Sequence, residues 1–137
     1  MQEKRISGFE ERPHTADWAL DVWALDLPML FVEAAKGMYA LMGVSLGTDR
    51  HHTHLSLSEP DHEALLVSFL SELLFLNESD HLGFDYFQMV FAGSELEVDL
   101  QGAAIASQTK AIKAVTYHNL KIRQTNRGFE TTIVFDV

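Results

Sequence analysis

HHTHLSLSEPDHEALLVSFLSELLFLN, residues 51–77, carries the two periodicities from which the fold is read. In its first eight residues apolar and polar side chains alternate. Thr53, Leu55 and Leu57 fall on one face and His52, His54 and Ser56 on the other, the two-residue repeat of a half-buried strand. Past Pro60 the repeat lengthens to three and four. Asp61 is placed to cap a helix by accepting a backbone N–H. Leu65, Leu66, Phe69, Leu70, Leu73 and Leu74 then form a stripe wide enough to face a sheet, and the helix is expected to fade near Asn77.

Upstream, WALDVWA (18–24) reads as a strand with Leu20, Val22 and Ala24 on one face. Asp26 is the N-cap of a first helix, and Pro28 is tolerated in its first turn. Leu27, Leu30, Phe31, Ala34, Met38, Leu41 and Met42 recur along that helix as one stripe up to Gly43. From Phe84 onward the character changes. DYFQMVF (85–91), ELEVDLQ (95–101), KAVTYHNLKIRQ (113–124) and FETTIVFDV (129–137) all favour strands. Gly93, Gly102 and Asn126-Arg127-Gly128 are read as breaks, the last two strands as a hairpin. Two helices against five to seven mostly antiparallel strands make an α+β domain spanning residues 1–137, with the helices on one sheet face.

Composition narrows the function classes. Twenty acidic against ten basic side chains give a formal charge of −10. That charge repels phosphate backbones and suits a basic protein partner or a divalent cation, so direct nucleic-acid binding is not expected. Without cysteine the chain has no disulfide, thiolate metal site or thiol nucleophile. Its apolar runs stop short of the roughly 20 residues of a membrane span, and its first residues lack a leader's apolar core. A cytoplasmic protein is the default expectation.

Phosphate loops, HExxH and GxSxG are absent, and four segments are left that could carry chemistry. Pro13-His14-Thr15-Ala16-Asp17 lies between two expected strands, either as a ligand-bearing connection or as a turn bonding its own backbone. Phe135-Asp136-Val137 ends a strand. There the Asp136 carboxylate and the Val137 terminal carboxylate lie close together, either solvated or joined with a third oxyanion around a hard cation such as Ca²⁺, Mg²⁺ or Mn²⁺. In residues 112–119 (IKAVTYHN) alternation puts Lys113, Val115 and Tyr117 on one face and Ala114, Thr116 and His118 on the other. Lys113 there either pairs with a carboxylate or contacts an anion of a partner. His51-His52-Thr53-His54 offers two same-face imidazoles with no evident third ligand, so it reads as polar strand residues before it reads as a zinc site.

In their order along the chain, these blocks resemble the archease family. They are His14-Thr15-Ala16-Asp17, the leucine-rich helix from Leu65 to Leu74, the lysine-centred strand from Ile112 to Asn119, and the aspartate-ended tail Phe135-Asp136-Val137. The run Gly102 to Lys110 looks shorter than in many members. The resemblance implies an α+β fold built from a strand-helix-strand-strand module with one unit inserted into another. It also implies a divalent ion, calcium in the family, on the positions matching Asp17, Asp136 and Val137, with Lys113 needed for assistance to a partner. His14 and His118 would support those ligands through hydrogen bonds. That partner is an RtcB-type RNA ligase of transfer-RNA splicing, whose guanylylation and turnover archeases promote without themselves being enzymes. Two other readings are a small metal-dependent hydrolase, with His14 or His118 as general base, and a chaperone-like regulator of a tRNA methyltransferase.

Overall fold

Two aspartates start the two helices. A computed structural model of the chain describes residues 6–12 and 18–137. The Asp26 carboxylate accepts the Met29 N–H at 2.8 Å and opens α1 (Leu27–Met42). In the same way Asp61 accepts the Ala64 N–H at 2.8 Å and opens α2 (His62–Asp80). Pro28, which has no N–H, sits in the first turn, where no intrahelical bond is required of it. Gly43 stops α1 at φ 64°, a left-handed backbone that costs glycine little.

The second helix outlasts the expected stop. Asn77 is buried and its amide donates to Gln108 Oε1 at 2.9 Å, so it stays helical, and His81 closes the helix by donating its N–H to Leu76 O. In α1 the burial extends beyond one stripe to Glu33, Ala35 and Tyr39. The cause is that the helix touches two sheets: β1 (Gly8–Arg12), β2 (Trp18–Ala24) and β8 (Gly128–Asp136) on one side, and β4 (Leu82–Ala92) on the other.

The strands thus divide into two sheets instead of forming one. Five strands run in the order β1-β2-β8-β6, where β6 is Ala114–Val115, and β7 (Arg123–Thr125) also pairs with β8. Three run in the order β3-β5-β4, with β3 spanning Ser45–Ser58 and β5 spanning Glu95–Ser107. Every pairing is antiparallel. The alternation read at residues 51–58 holds, with Thr53, Leu55 and Leu57 half-buried between exposed neighbours. β3 begins earlier than expected, through an irregular register between Ser45 and Arg50. One apolar cluster joins Leu20 and Ile133 of the larger sheet, Leu96 and Val98 of the smaller, and both helices.

Two expected features are corrected. Gly102 is not a break but lies inside β5, opposite a bulge of β4 between Phe84 and Tyr86. A Cβ there would meet the Gly83 carbonyl oxygen and come within 2.7 Å of the Phe84 Cα, so close strand approach explains the glycine. Residues 113–124 are not one strand. Thr116 Oγ1 donates to Val134 O (2.9 Å) and accepts the His118 N–H (3.2 Å), and the chain turns with Leu120 N–H on Tyr117 O (3.0 Å). Such side-chain bonds compete with ladder pairing. Ile112 and Val115 are buried, and Lys113 and Tyr117 face solvent instead of sharing the Val115 face.

Candidate functional site

β2 begins and β8 ends at the same end of the five-stranded sheet. Trp18 stands opposite Phe135, and Ala114 of β6 stands opposite Asp136. The Lys113 N–H donates to the Asp136 carbonyl at 2.8 Å, so the lysine-centred segment and the tail are bonded neighbours. Phe135 is fully buried, and strand alternation turns the exposed Asp136 side chain the other way. Val137, 36% exposed, follows it. His14 and Asp17 lie outside the described residues; Trp18 directly follows Asp17 in the sequence.

The loop that delivers Lys113 is anchored at several points. Met42 O, at the end of α1, accepts the Thr109 N–H (3.0 Å), the Lys110 N–H (3.1 Å) and the Thr109 hydroxyl (3.1 Å). Gln108 takes the Asn77 amide and donates to Lys110 O at 2.9 Å. Lys110 Nζ then lies 4.2 Å from the centroid of the Trp18 ring, within cation–π range. Sequence reasoning did not single out Trp18, Gln108 or Lys110. One signal was available: Asn77 continues the helical spacing of Leu70, Leu73 and Leu74, and a polar side chain on an apolar stripe implies a buried partner.

His118 is not joined to Asp136 by any hydrogen bond or ion pair among the described residues; its ring contacts the Asn119 amide at 3.3 Å. No hydrogen bond or ion pair among those residues engages the Asp136 carboxylate, and no group of three His, Cys, Asp or Glu side chains among them is arranged for a metal.

The histidine run behaves as polar strand residues. His54 lies between two acids of β5, its Nδ1 2.8 Å from Asp99 Oδ1 and its Nε2 2.5 Å from Glu97 Oε2, and Ser56 Oγ donates to Glu97 at 2.6 Å. Asp99, and then Glu97, raise the imidazole above its ordinary value. The Ser56 hydroxyl, and then His54, lower Glu97. The His54 contribution is present below the unfolded imidazole's titration and lost as pH rises through the raised folded value. The Glu97 contribution is present above its unfolded value and lost as pH falls through the lowered one. The clamp is therefore complete at mildly acidic pH, above the unfolded value of Glu97 and below that of His54, and its exposure keeps its effect on stability small. NMR titration should find His54 titrating above 6.5, with Asp99→Asn bringing it back toward that value. A His54 midpoint unmoved by that substitution would refute the clamp.

The model of the archease protein family matches residues 9–137. The archease of Methanosarcina mazei is 34% identical, the alignment covering 94% of this chain and 95% of that one. That of Methanothermobacter thermautotrophicus is 26% identical, covering 96% and 100%. The crystal structure of an archease, possible chaperone, from Thermotoga maritima has a TM-score of 0.69 at 25% identity, covering 100% of this chain and 98% of that one. The solution structure of a Methanobacterium thermoautotrophicum protein reaches 0.71 at 23% identity, over 95% and 99%, which is a likeness of fold.

Proposed function

The chain belongs to the archease protein family, and on that premise we propose that it is a protein cofactor of an RtcB-type RNA ligase in transfer-RNA splicing, promoting guanylylation and multiple turnover of a partner that owns the chemistry. The observation that carries this reading is the bond between the Lys113 N–H and the Asp136 carbonyl, which ties the backbone of the lysine segment to that of the acidic tail at one end of the sheet. A helper needs a rigid, charged end that another protein can accept.

Asp17, Asp136 and Val137 would hold a divalent cation, calcium before magnesium or manganese, and the ion when bound would neutralise phosphate charge. Asp136 contributes a carboxylate on a backbone pinned by β6. Lys113 contributes an ammonium that can meet an anion of the ligase or its nucleotide. His14 is proposed to steady these groups through hydrogen bonds; the turn at Thr116 makes the same role for His118 indirect. The charge of −10 steers this end toward a basic cleft and away from free RNA. These roles belong to the cytoplasm, where transfer RNA is matured.

The test is the initial rate of guanylylation of the cognate ligase, followed with labelled GTP, with and without this protein. Substoichiometric protein should accelerate the reaction and convert a single turnover into many. No acceleration with the cognate ligase would end this reading. The Thermotoga relative's description as a possible chaperone then favours the second one, regulation of another RNA-modifying enzyme such as a tRNA methyltransferase.

A further inference from the structure

The outer face of the five-stranded sheet holds a cleft of about 230 Å³, remote from Asp136, whose lining includes Arg12, Trp23, Asn119, Lys121, Arg123 and Glu130. Three of the chain's ten lysine and arginine residues meet in it beside two acids, Asp21 and Glu130, so on a protein of charge −10 its lining carries a small net positive charge.

Its walls are held in place. On one side, the Lys121 carbonyl accepts the hydroxyl of buried Thr131 (2.9 Å) and the Ile122 N–H donates to Glu63 Oε2 (2.9 Å). Leu120 and Ile122 pack against the core, which turns the alternate residues Asn119, Lys121 and Arg123 outward. Across from them Arg12 is held by Asp21 (Nε to Oδ2, 3.2 Å), and Asp21 is itself fixed by the Thr132 hydroxyl (2.6 Å). Trp23 lies over Gly8, where an added Cβ would come within 2.9 Å of the indole, so this wall too has a set position.

The charges that remain are unmatched. Among the described residues no ion pair engages Lys121, Arg123 or Glu130, although Arg123 and Glu130 are cross-strand partners. We infer that this cleft binds a small phosphorylated polyol, its phosphate between Arg12 and Lys121–Arg123 and its hydroxyls donating to Glu130. Guanidinium and ammonium donors match phosphate oxygens, and a carboxylate accepts from hydroxyls. The volume lies below the roughly 300 Å³ at which drug-sized pockets begin, which suits a sugar phosphate. This site is independent of the ligase reading and stands or falls separately from it.

Ribose 5-phosphate, ribose and inorganic phosphate would each be titrated into the full chain and followed by nitrogen-15 NMR. The phosphate ester should give saturable shifts at the Trp23 indole and the amides of residues 119–123, ribose none, and inorganic phosphate weaker ones. Lys121→Gln with Arg123→Gln should weaken binding about tenfold or more, from the loss of two charge-assisted bonds. Glu130→Gln should weaken the ester but not inorganic phosphate, and Lys110→Gln should change neither. Absence of saturation, equal binding by the double variant, or shifts confined to the Asp136 end would overturn the proposal. So would stronger shifts at these residues with a transfer RNA, which would make the ligand a nucleic-acid backbone.

Discussion

Alanine in place of Phe69 is expected to cost about 3–5 kcal/mol of stability, a large share of what holds a domain of this size together. The side chain is wholly buried in α2, stacked on Phe31 of α1 at 5.9 Å and edge-on to Phe87 of β4 at 6.0 Å. Phe31 in turn meets Phe91 of β4 edge-on at 5.0 Å. Truncation thus opens a cavity where both helices and the smaller sheet converge, and none of the three can close it without leaving the others. Phe75 lies on the same helix but is 61% exposed, so Phe75→Ala should change stability by no more than about 0.5 kcal/mol. Urea denaturation of the two variants compares a buried with an exposed ring in one helix. Equal losses would mean that helix propensity, and not packing, accounts for Phe69.

The second large effect concerns the proposed ligase-facing end. Asp136→Ala and Asp17→Ala should reduce stimulation of ligase guanylylation to near the unassisted rate, and both should remove most of the stabilisation that calcium confers. For an intact site that stabilisation is about 2.7 kcal/mol at a hundredfold excess over the dissociation constant. Lys113→Ala should also abolish stimulation but leave the calcium-induced rise in melting temperature in place, because its ammonium is no ligand for a cation. The pattern across two readouts separates roles. Loss of the calcium response in Lys113→Ala would point to a collapsed loop, and full stimulation by folded Asp136→Ala would sink the site assignment. Circular dichroism establishes that each variant is folded before it is compared.

What could be read in the sequence was what depends on near neighbours. Asp26 and Asp61 cap helices through groups three residues away, and the alternation of Thr53, Leu55 and Leu57 needs only a strand with one covered face. Phe135 and Asp136 end a strand as their spacing suggested. The errors all involve partners distant in sequence. Gly102 has its reason in Gly83 and Phe84 on the next strand, and Thr116 leaves the sheet because Val134 takes its hydroxyl. The anchor that presents Lys110 to Trp18 depends on Met42 and Asn77, far along the chain from Gln108 and Thr109. At the candidate site, the acids and Lys113 were legible as residue types in suggestive places, but no local pattern could reveal that the Lys113 amide would bond the Asp136 carbonyl.

The position of β8 has a consequence for synthesis. It is made after the seven other strands of this domain, yet it lies inside the larger sheet, between β2 and the pair β6 and β7. As the chain leaves the ribosome, β1 and β2 can form a two-stranded ribbon with α1 packed on it, short of the sheet that β8 completes. Meanwhile β3, β4, β5 and α2 are all available to assemble with one another. Trp18 must wait for Phe135, a partner more than 100 residues later, and such distant closure is slow. The half of the domain that bears Asp136 and Lys113 is therefore the half completed last, so a nascent chain acquires this charged end only after β8 has emerged.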